Sequence, residues 1–121
     1  MGYVLIAEDD ISSQDVIRIV MLMEGYECLF VGNGAEALEA ISGQVPSLIL
    51  LDLQMPVMDG QTFLNIYCNS DGPHAPIIVV SAFPDKFNKV AGCNIDFLGK
   101  PFALDDLLDG IKKYMRADEK P

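Results

Sequence analysis

The sequence predicts an α/β protein: a five-stranded parallel sheet with strand order 2-1-3-4-5 and helices on both faces. Short apolar runs alternate along the 121 residues with longer segments of helical periodicity, the pattern of consecutive βαβ units. Two of these runs, 48–51 and 77–80, are apolar throughout, as strands buried on both faces of a sheet are. Right-handed crossovers in such a doubly wound sheet place the reversal of strand order between strands one and three.

Three strands and two helices are predicted in the first half of the chain. The strands cover residues 3–7, 27–31 and 47–51. The first helix, 12–24, is closed by Gly25, a residue that readily takes the left-handed conformation of a C-cap. Asn33 is a good N-cap for a second helix, which ends at Gly43.

The second half is predicted to contain two strands and up to three helices. The strands are 77–80, followed by Ser81, and 95–98. Apolar residues at helical spacing predict a last helix over 104–115, the clearest periodic signal in the chain. A helix at 61–68 and a short, weakly amphipathic one at 84–91 complete the pattern. We expect a single domain over 1–121, with its core in 3–115 and a frayed polar tail at 116–121.

The charge of the chain is strongly acidic, with a formal net charge of -10 and a pI near 4.2. Nucleic acid is therefore not expected as a direct partner, because phosphate contacts require clustered Lys and Arg. No apolar run is long enough to span a bilayer and no signal peptide precedes the first strand, so a soluble cytoplasmic protein is expected. Cys28, Cys68 and Cys93 match no zinc spacing and are expected to be reduced thiols.

Polar residues follow four of the predicted strands. Glu8 and Asp9 follow strand one, Asp52 ends strand three, Ser81 follows strand four and Lys100 follows strand five. The carboxyl ends of parallel strands share one edge of the sheet, where ligands of such sheets bind. Carboxylates repel by about 4 kcal/mol per pair at 4 Å and an effective dielectric of about 20, so clustered acids favour a bound cation. Oxygen ligands without nearby His or Cys favour a hard ion, Mg²⁺ rather than Ca²⁺.

A magnesium ion beside a carboxylate, a lysine and a hydroxyl is suited to phosphoryl transfer. The cations neutralise charge on the transferring oxygens, while the carboxylate acts as the nucleophile and becomes an aspartyl phosphate. Asp52 is the candidate nucleophile because it is single, central and presented by the strand expected to be the most buried. Taken alone, Asp9 or Asp10 could equally be a plain N-cap of the first helix, and Asp10 is the better candidate for that role.

Four motifs in order resemble the receiver domain of two-component response regulators, the CheY-like family, over essentially the whole chain. They are Ala7-Glu-Asp-Asp10, Leu51-Asp-Leu-Gln-Met-Pro-Val-Met-Asp-Gly60, Val80-Ser-Ala82 and Gly99-Lys-Pro-Phe102. By this resemblance Asp52 is the phosphoacceptor, and Ser81 and Lys100 bind the phosphoryl group. Glu8, Asp9, Asp52 and the backbone carbonyl of Gln54 are the implied protein ligands of Mg²⁺, for which Mn²⁺ is a possible substitute.

The resemblance also implies partners and a switch. A sensor histidine kinase or a histidine phosphotransfer protein donates the phosphoryl group to Asp52, Ser81 moves toward it, and the aromatic switch residue Phe97 turns inward. The face formed by helix four, strand five and helix five then changes its binding of a downstream partner. The peptide bond before Pro101 is expected to be cis.

Exposed Ile19 and Leu22 on the first helix are either isolated surface residues or a docking pair for a partner helix.

The chain departs from the family at two places. The interval from Ser81 to Lys100 is shorter than is usual, and the missing residues fall in the fourth helix. Phe83 is bulky where small or polar residues are common, and we hypothesise that Phe83 and Gln54 hinder an attacking water and prolong the life of the phosphate. The downstream partner and the oligomeric state are left open by the sequence.

Three alternatives are disfavoured by particular residues. A haloacid-dehalogenase-like phosphatase needs a second acid two residues after the nucleophile, where this chain has Gln54. A flavodoxin-like flavin binder needs a Ser/Thr/Gly-rich phosphate loop after strand one, where this chain has three acids. A degenerate receiver that binds partners without phosphorylation is disfavoured because every chemical position of the motif is filled.

Overall fold

The computed structural model describes residues 2–83 and 87–115, which form a five-stranded parallel sheet flanked by helices. The strands are β1 (Val4–Ala7), β2 (Cys28–Val31), β3 (Leu48–Asp52), β4 (Ile77–Ser81) and β5 (Ile95–Gly99). The helices described are α1 (Ile11–Glu24), α2 (Gly34–Gly43), α3 (Gly60–Asn69) and α4 (Leu104–Tyr114). The sheet order β2-β1-β3-β4-β5 confirms the predicted fold, and the tail at 116–121 lies outside the described residues.

Two hydrophobic cores lie on opposite faces of the sheet, since successive strand residues point to opposite sides. On one face Leu5 and Ile49 pack with Phe63 and Leu64 of α3. The core on the other face includes strand residues Val4, Ile6, Leu48 and Leu50 and helix residues Ile17, Met21, Leu107 and Ile111. Every residue of β1, β3 and β4 is buried, as their apolar runs predicted.

Local capping fixes where the helices begin and end. The carboxylate of Asp10 caps α1 by accepting a hydrogen bond from the backbone N–H of Ser13, and Gly25 ends this helix in the left-handed conformation. Asn33 caps α2 through the N–H of Glu36, as predicted, and Asp59 caps α3 through the N–H of Thr62. Each of the three N-caps follows the carboxyl end of a strand, so the caps help to fix the loops after β1, β2 and β3.

The crossover from β4 to β5 differs from the prediction. Residues 87–91 are not helical, so the predicted helix at 84–91 is wrong where the structure describes it; residues 84–86 lie outside the described part. We call residues 87–94 the strap. Reciprocal hydrogen bonds hold the strap against α3: Gln61 Nε2 donates to the Asn88 carbonyl, and the Asn88 N–H donates to Gln61 Oε1, each at 2.9 Å. These tertiary contacts replace the internal hydrogen bonds of a helix.

The expectation of three reduced thiols is wrong for two of the cysteines. Cys68, near the end of α3, forms a disulfide with Cys93 of the strap, and their Cα atoms are 5.4 Å apart. Cys28 is a free thiol. The sequence gives no hint of this pairing, because the two cysteines are 25 residues apart and meet only through the packing of the strap on α3.

The exposed face of α1 carries several apolar side chains. Ile19 and Leu22 are 56% and 76% exposed, as their helical positions predicted. Ile11 and Met23 on the same helix are also exposed. No described helix has both the length and the apolar character that a bilayer crossing requires.

Candidate functional site

The site lies at the carboxyl edge of the sheet, where the ends of four strands meet. Ala7 of β1 is in register with Leu51 of β3, so Glu8 and Asp52 lie beside each other at the edge. Asp52 is paired with Val80 of β4, and Ser81 is paired with Gly99, the residue before Lys100. Parallel register therefore brings together the acids, the hydroxyl and the lysine that the sequence placed there separately.

Three carboxylates form an acidic cluster at this edge. One side-chain oxygen from each of Glu8, Asp9 and Asp52 lies within 4.8 Å of the others, an arrangement that could hold a metal ion. Glu8 is 2% exposed and Asp52 is 7% exposed, whereas Asp9 is exposed. Burial raises the pKa of Glu8 to about 7, and Asp52 adds to this shift by a side-chain hydrogen bond and by its charge, while Lys100 opposes it. The cluster therefore favours binding of a cation or of a proton.

Lys100 supplies positive charge directly to the cluster. Its Nζ lies 2.7 Å from Glu8 Oε1 and 3.4 Å from Asp52 Oδ2. Burial by itself would lower the pKa of Lys100, but the hydrogen bonds and charges of Glu8 and Asp52 outweigh burial and raise this pKa. Lys100 is thus held charged, in contact with the carboxylate of the candidate nucleophile.

The turn after β3 orients Asp52. The backbone N–H of Gln54 donates a hydrogen bond of 3.2 Å to Asp52 Oδ1, so one carboxylate oxygen faces the turn and the other faces Lys100. The N–H of Gly60 donates to the Leu53 carbonyl at 2.9 Å, and a Cβ at Gly60 would lie 2.3 Å from the Asp52 carbonyl oxygen. Only glycine permits this close return of the chain.

Ser81 and the residues after β5 complete the edge. Ser81 is 1% exposed, and its Oγ accepts a hydrogen bond of 3.1 Å from the backbone N–H of Phe83. The Lys100 N–H donates to the Ser81 carbonyl at 2.9 Å, so the backbones of these two residues are held next to each other at the edge. The peptide bond from Lys100 to Pro101 is cis, the form expected for it.

Phe97 lies on β5 and is 38% exposed. Its ring stacks on that of Phe87 in the strap, with centroids 6.0 Å apart. The strap therefore contacts the side chain for which the family resemblance implies a switch role.

Two residues that hold loops by side-chain contacts with backbone carbonyls were not predicted from the sequence. Gln14 of α1 donates a side-chain hydrogen bond of 2.5 Å to the Glu8 carbonyl and so fixes the loop that carries the acids. Its place four residues after the cap Asp10 is one helical turn into α1, and that spacing was the available signal. His74, in the loop between α3 and β4, lies between two backbone carbonyls, with Nε2 2.8 Å from Ser70 O and Nδ1 3.0 Å from Gly92 O.

The fold and this edge define a class, the receiver domains of two-component signalling. The model of the response regulator receiver domain family matches residues 4–112, and the chain belongs to this family. Response regulator MprA of a Mycobacterium species is 32% identical over 98% of the chain. The chain spans about half the length of the curated relatives it matches, 54% in the case of MprA.

Solved structures agree with this assignment. The chemotaxis response regulator CheY4 of Vibrio cholerae is 28% identical with a TM-score of 0.81, over 95% of this chain and 99% of that one. The receiver domain of the sensor histidine kinase PA1611 of Pseudomonas aeruginosa is 28% identical with a TM-score of 0.80, over 94% of this chain and 98% of that one. That structure has a magnesium ion coordinated in its active site cleft.

Proposed function

We propose that this receiver accepts a phosphoryl group on Asp52 and uses the acyl phosphate to change its binding of a downstream partner. The observation that carries the proposal is the placement of Asp52: its buried carboxylate lies between Lys100 and the turn amide of Gln54, beside two further acids. This arrangement provides a nucleophile and a permanent positive charge within contact distance of each other.

The donor set fits a magnesium ion. Glu8, Asp9 and Asp52 offer oxygen ligands alone, the type that Mg²⁺ prefers, and three acids against one lysine leave the cluster short of positive charge. The Gln54 carbonyl is proposed as a further ligand, with Mn²⁺ as a substitute ion. When bound, the metal neutralises charge on the transferring phosphoryl oxygens. The magnesium ion in the related receiver of PA1611 supports this choice.

The transfer can be written for the residues of this chain. An oxygen of Asp52 attacks the phosphorus of a phosphohistidine, the phosphorus–nitrogen bond breaks, and its electron pair remains on the imidazole, which takes up a proton. Lys100 moves a short distance away from Asp52 Oδ2, and its positive charge neutralises an oxygen of the phosphoryl group. Ser81 exchanges the hydrogen bond from Phe83 for one that its hydroxyl donates to the phosphoryl group.

The donor is proposed to be a histidine kinase or a histidine phosphotransfer protein in the cytoplasm. The exposed apolar side chains of α1, including Ile19 and Leu22, suit docking of such a helical partner along a helix that begins next to the acidic cluster. The receiver itself catalyses only its own phosphorylation and dephosphorylation. It is a switch with two states, biased by a local change of charge.

The output face is proposed to consist of the strap, β5 and α4. This revises the expected face, because the predicted fourth helix is absent from residues 87–91. Phe97 links the strap to β5, and Lys113 of α4 forms an ion pair of 3.0 Å with Asp96 of β5. Movement of Ser81 toward the phosphoryl group would reach this face through the strand that pairs with β5.

Phosphorylation by a small donor tests the proposal. The full chain is incubated with Mg²⁺ and acetyl phosphate, and intact mass spectrometry should show one added phosphoryl group, which tandem spectra after borohydride reduction place on Asp52. Asp52→Asn should take up none, whereas Asp71→Asn, an exposed residue outside the site, should behave like the wild type. Equal incorporation into Asp52→Asn would refute the assignment.

A further inference from the structure

The disulfide between Cys68 and Cys93 is a covalent link between α3 and the strap. Cys68 is the last but one residue of α3, and Cys93 lies two residues before β5. The Cα separation of 5.4 Å falls within the range that a disulfide spans. Neither cysteine lies at the acidic cluster, and nothing in the phosphorylation chemistry uses them.

The surrounding residues are arranged for this close approach. Gly92 has a φ of +99°, and a Cβ there would lie 2.4 Å from the carbonyl oxygen of Cys68, so only glycine lets the strap come so near to α3. The ring of His74 bridges the same two segments by its contacts with Ser70 O and Gly92 O. These contacts hold the strap against the end of α3 beside the two cysteines.

The two cysteines differ in their access to solvent. Cys68 is 5% exposed and packs in the core beneath α3, whereas Cys93 is partly exposed on the strap. Exposed disulfides are the ones that exchange with thiols in solution. Disulfides in proteins of reducing compartments are usually transient and sense redox state.

We propose that Cys68 and Cys93 form a reversible redox site whose disulfide fastens the strap to α3 and whose reduction releases it. The exchange partner belongs to the glutathione class. The thiolate of Cys93 attacks oxidised glutathione, forming a mixed disulfide and releasing one glutathione thiolate. The thiolate of Cys68 then attacks the Cys93 sulfur, closing the disulfide and releasing the second. The two protons lost by the protein thiols pass to the two glutathione molecules, and the reverse sequence reduces the bond.

Release would be local. The strap keeps its second attachment through Gln61 and Asn88, and Phe87 keeps its contact with Phe97, so the sheet and the acidic cluster remain intact. Redox state would thereby set how freely the segment next to the switch residue moves. The consequence for output rests on the proposed function, but the modification itself does not.

Thiol counting in the folded protein tests the site. The Cys28→Ser protein is equilibrated with mixtures of reduced and oxidised glutathione and then alkylated. The mass of the intact chain is measured by mass spectrometry. We expect two alkylatable thiols in reduced glutathione and none in oxidised glutathione, with no retained glutathione. Cys68→Ser in the same background should instead carry one glutathione on Cys93, because the resolving thiol is missing. Two thiols that persist in oxidised glutathione, or a disulfide that reduced glutathione and dithiothreitol leave unbroken, would overturn the proposal.

Hydrogen exchange tests the release. Amides of 89–94 and of the last turn of α3 should exchange about tenfold or more faster in the reduced protein, while those of β1 and β3 stay unchanged. Identical exchange of the strap in both redox forms would overturn the fastening role. Both readouts are made without phosphodonor, so a protein that fails to take up phosphate could still show the redox site, and the reverse also holds.

Discussion

Lys100 and Glu8 form an ion pair of 2.7 Å at the carboxyl edge of the sheet, although 92 residues separate them in the chain. Glu8 is nearly inaccessible to solvent, and its second carboxylate oxygen accepts a hydrogen bond of 3.2 Å from the Asp10 N–H. Since Asp52 shares the same lysine, one cation serves two buried acids. The protein without metal is thus left with an excess of negative charge that a proton or a metal ion can relieve.

The raised pKa of Glu8 predicts a pH dependence of stability in the absence of metal. A carboxyl with a pKa near 7 when folded and about 4.5 when unfolded binds more protons in the folded state between these values. The stabilisation is complete below the unfolded pKa and is lost as pH rises through 7. The free energy of unfolding should therefore fall from about pH 5 to pH 8, by about 1–3 kcal/mol on the scale of 1.36 kcal/mol for each unit of pKa.

Urea titrations across this range check the prediction. Glu8→Gln should flatten the dependence, because the amide does not titrate. Glu39→Gln, an exposed residue of α2, is the matched control and should keep the slope of the wild type. An equal slope in Glu8→Gln and the wild type would assign the pH dependence to other groups.

Magnesium should stabilise the folded protein by binding at the acidic cluster. The gain follows mass action and reaches about 2.7 kcal/mol when the free ion exceeds its Kd about 100-fold. Calorimetry with rising MgCl₂, at constant ionic strength, should show a rising Tm for the wild type and little change for Asp9→Asn. Asp9 is the exposed member of the cluster, so its replacement removes a ligand without disturbing the core. A wild-type Tm that does not change with the Mg²⁺ concentration would contradict the proposed metal site.

The sheet could be predicted from the sequence because its strands carry their own signal. The runs that became β3 and β4 are apolar throughout, and each ends on the polar residue that reaches the site, Asp52 or Ser81. Gly25 and Asn33 are equally local signals, and both caps form as predicted. Strands and helix caps depend mainly on residues that are close in sequence, so the local sequence pattern is sufficient to predict them.

The crossover could not be predicted because its structure depends on distant partners. The strap takes its shape from Gln61, Cys68 and His74, none of which adjoins it in the chain. Likewise the ion pair of Lys100 with Glu8 follows from strand register, whereas the motifs alone indicated only that both reach the same edge. The sequence can indicate which residues reach the same edge of the sheet, but which of them pair with each other depends on the folded structure.

Replacement of Phe83 should shorten the life of the aspartyl phosphate. Its backbone N–H donates a hydrogen bond to Oγ of Ser81, the proposed phosphoryl-binding residue, and its bulky side chain is 45% exposed. After removal of the phosphodonor, Phe83→Ala should lose phosphate several-fold faster than the wild type, because water gains access to the phosphorus. Ile66 of α3, which is also 45% exposed and lies outside the site, makes the control: Ile66→Ala should leave hydrolysis close to the wild-type rate. If Phe83→Ala retains phosphate as long as the wild type, the shielding hypothesis fails.

A methyl group at Gly60 should damage both stability and phosphorylation. The Cβ would lie 2.3 Å from the Asp52 carbonyl oxygen and 2.8 Å from Leu53 Cα, so the turn that orients Asp52, the proposed nucleophile, must shift. Overpacking of this kind destabilises by about 1–3 kcal/mol. Gly43→Ala is the matched control, because a Cβ there meets nothing within 4 Å, and its stability should change by no more than about 1 kcal/mol. Chemical denaturation and phosphorylation by acetyl phosphate should separate the two variants. Full stability and a wild-type rate in Gly60→Ala would show that the turn does not position Asp52.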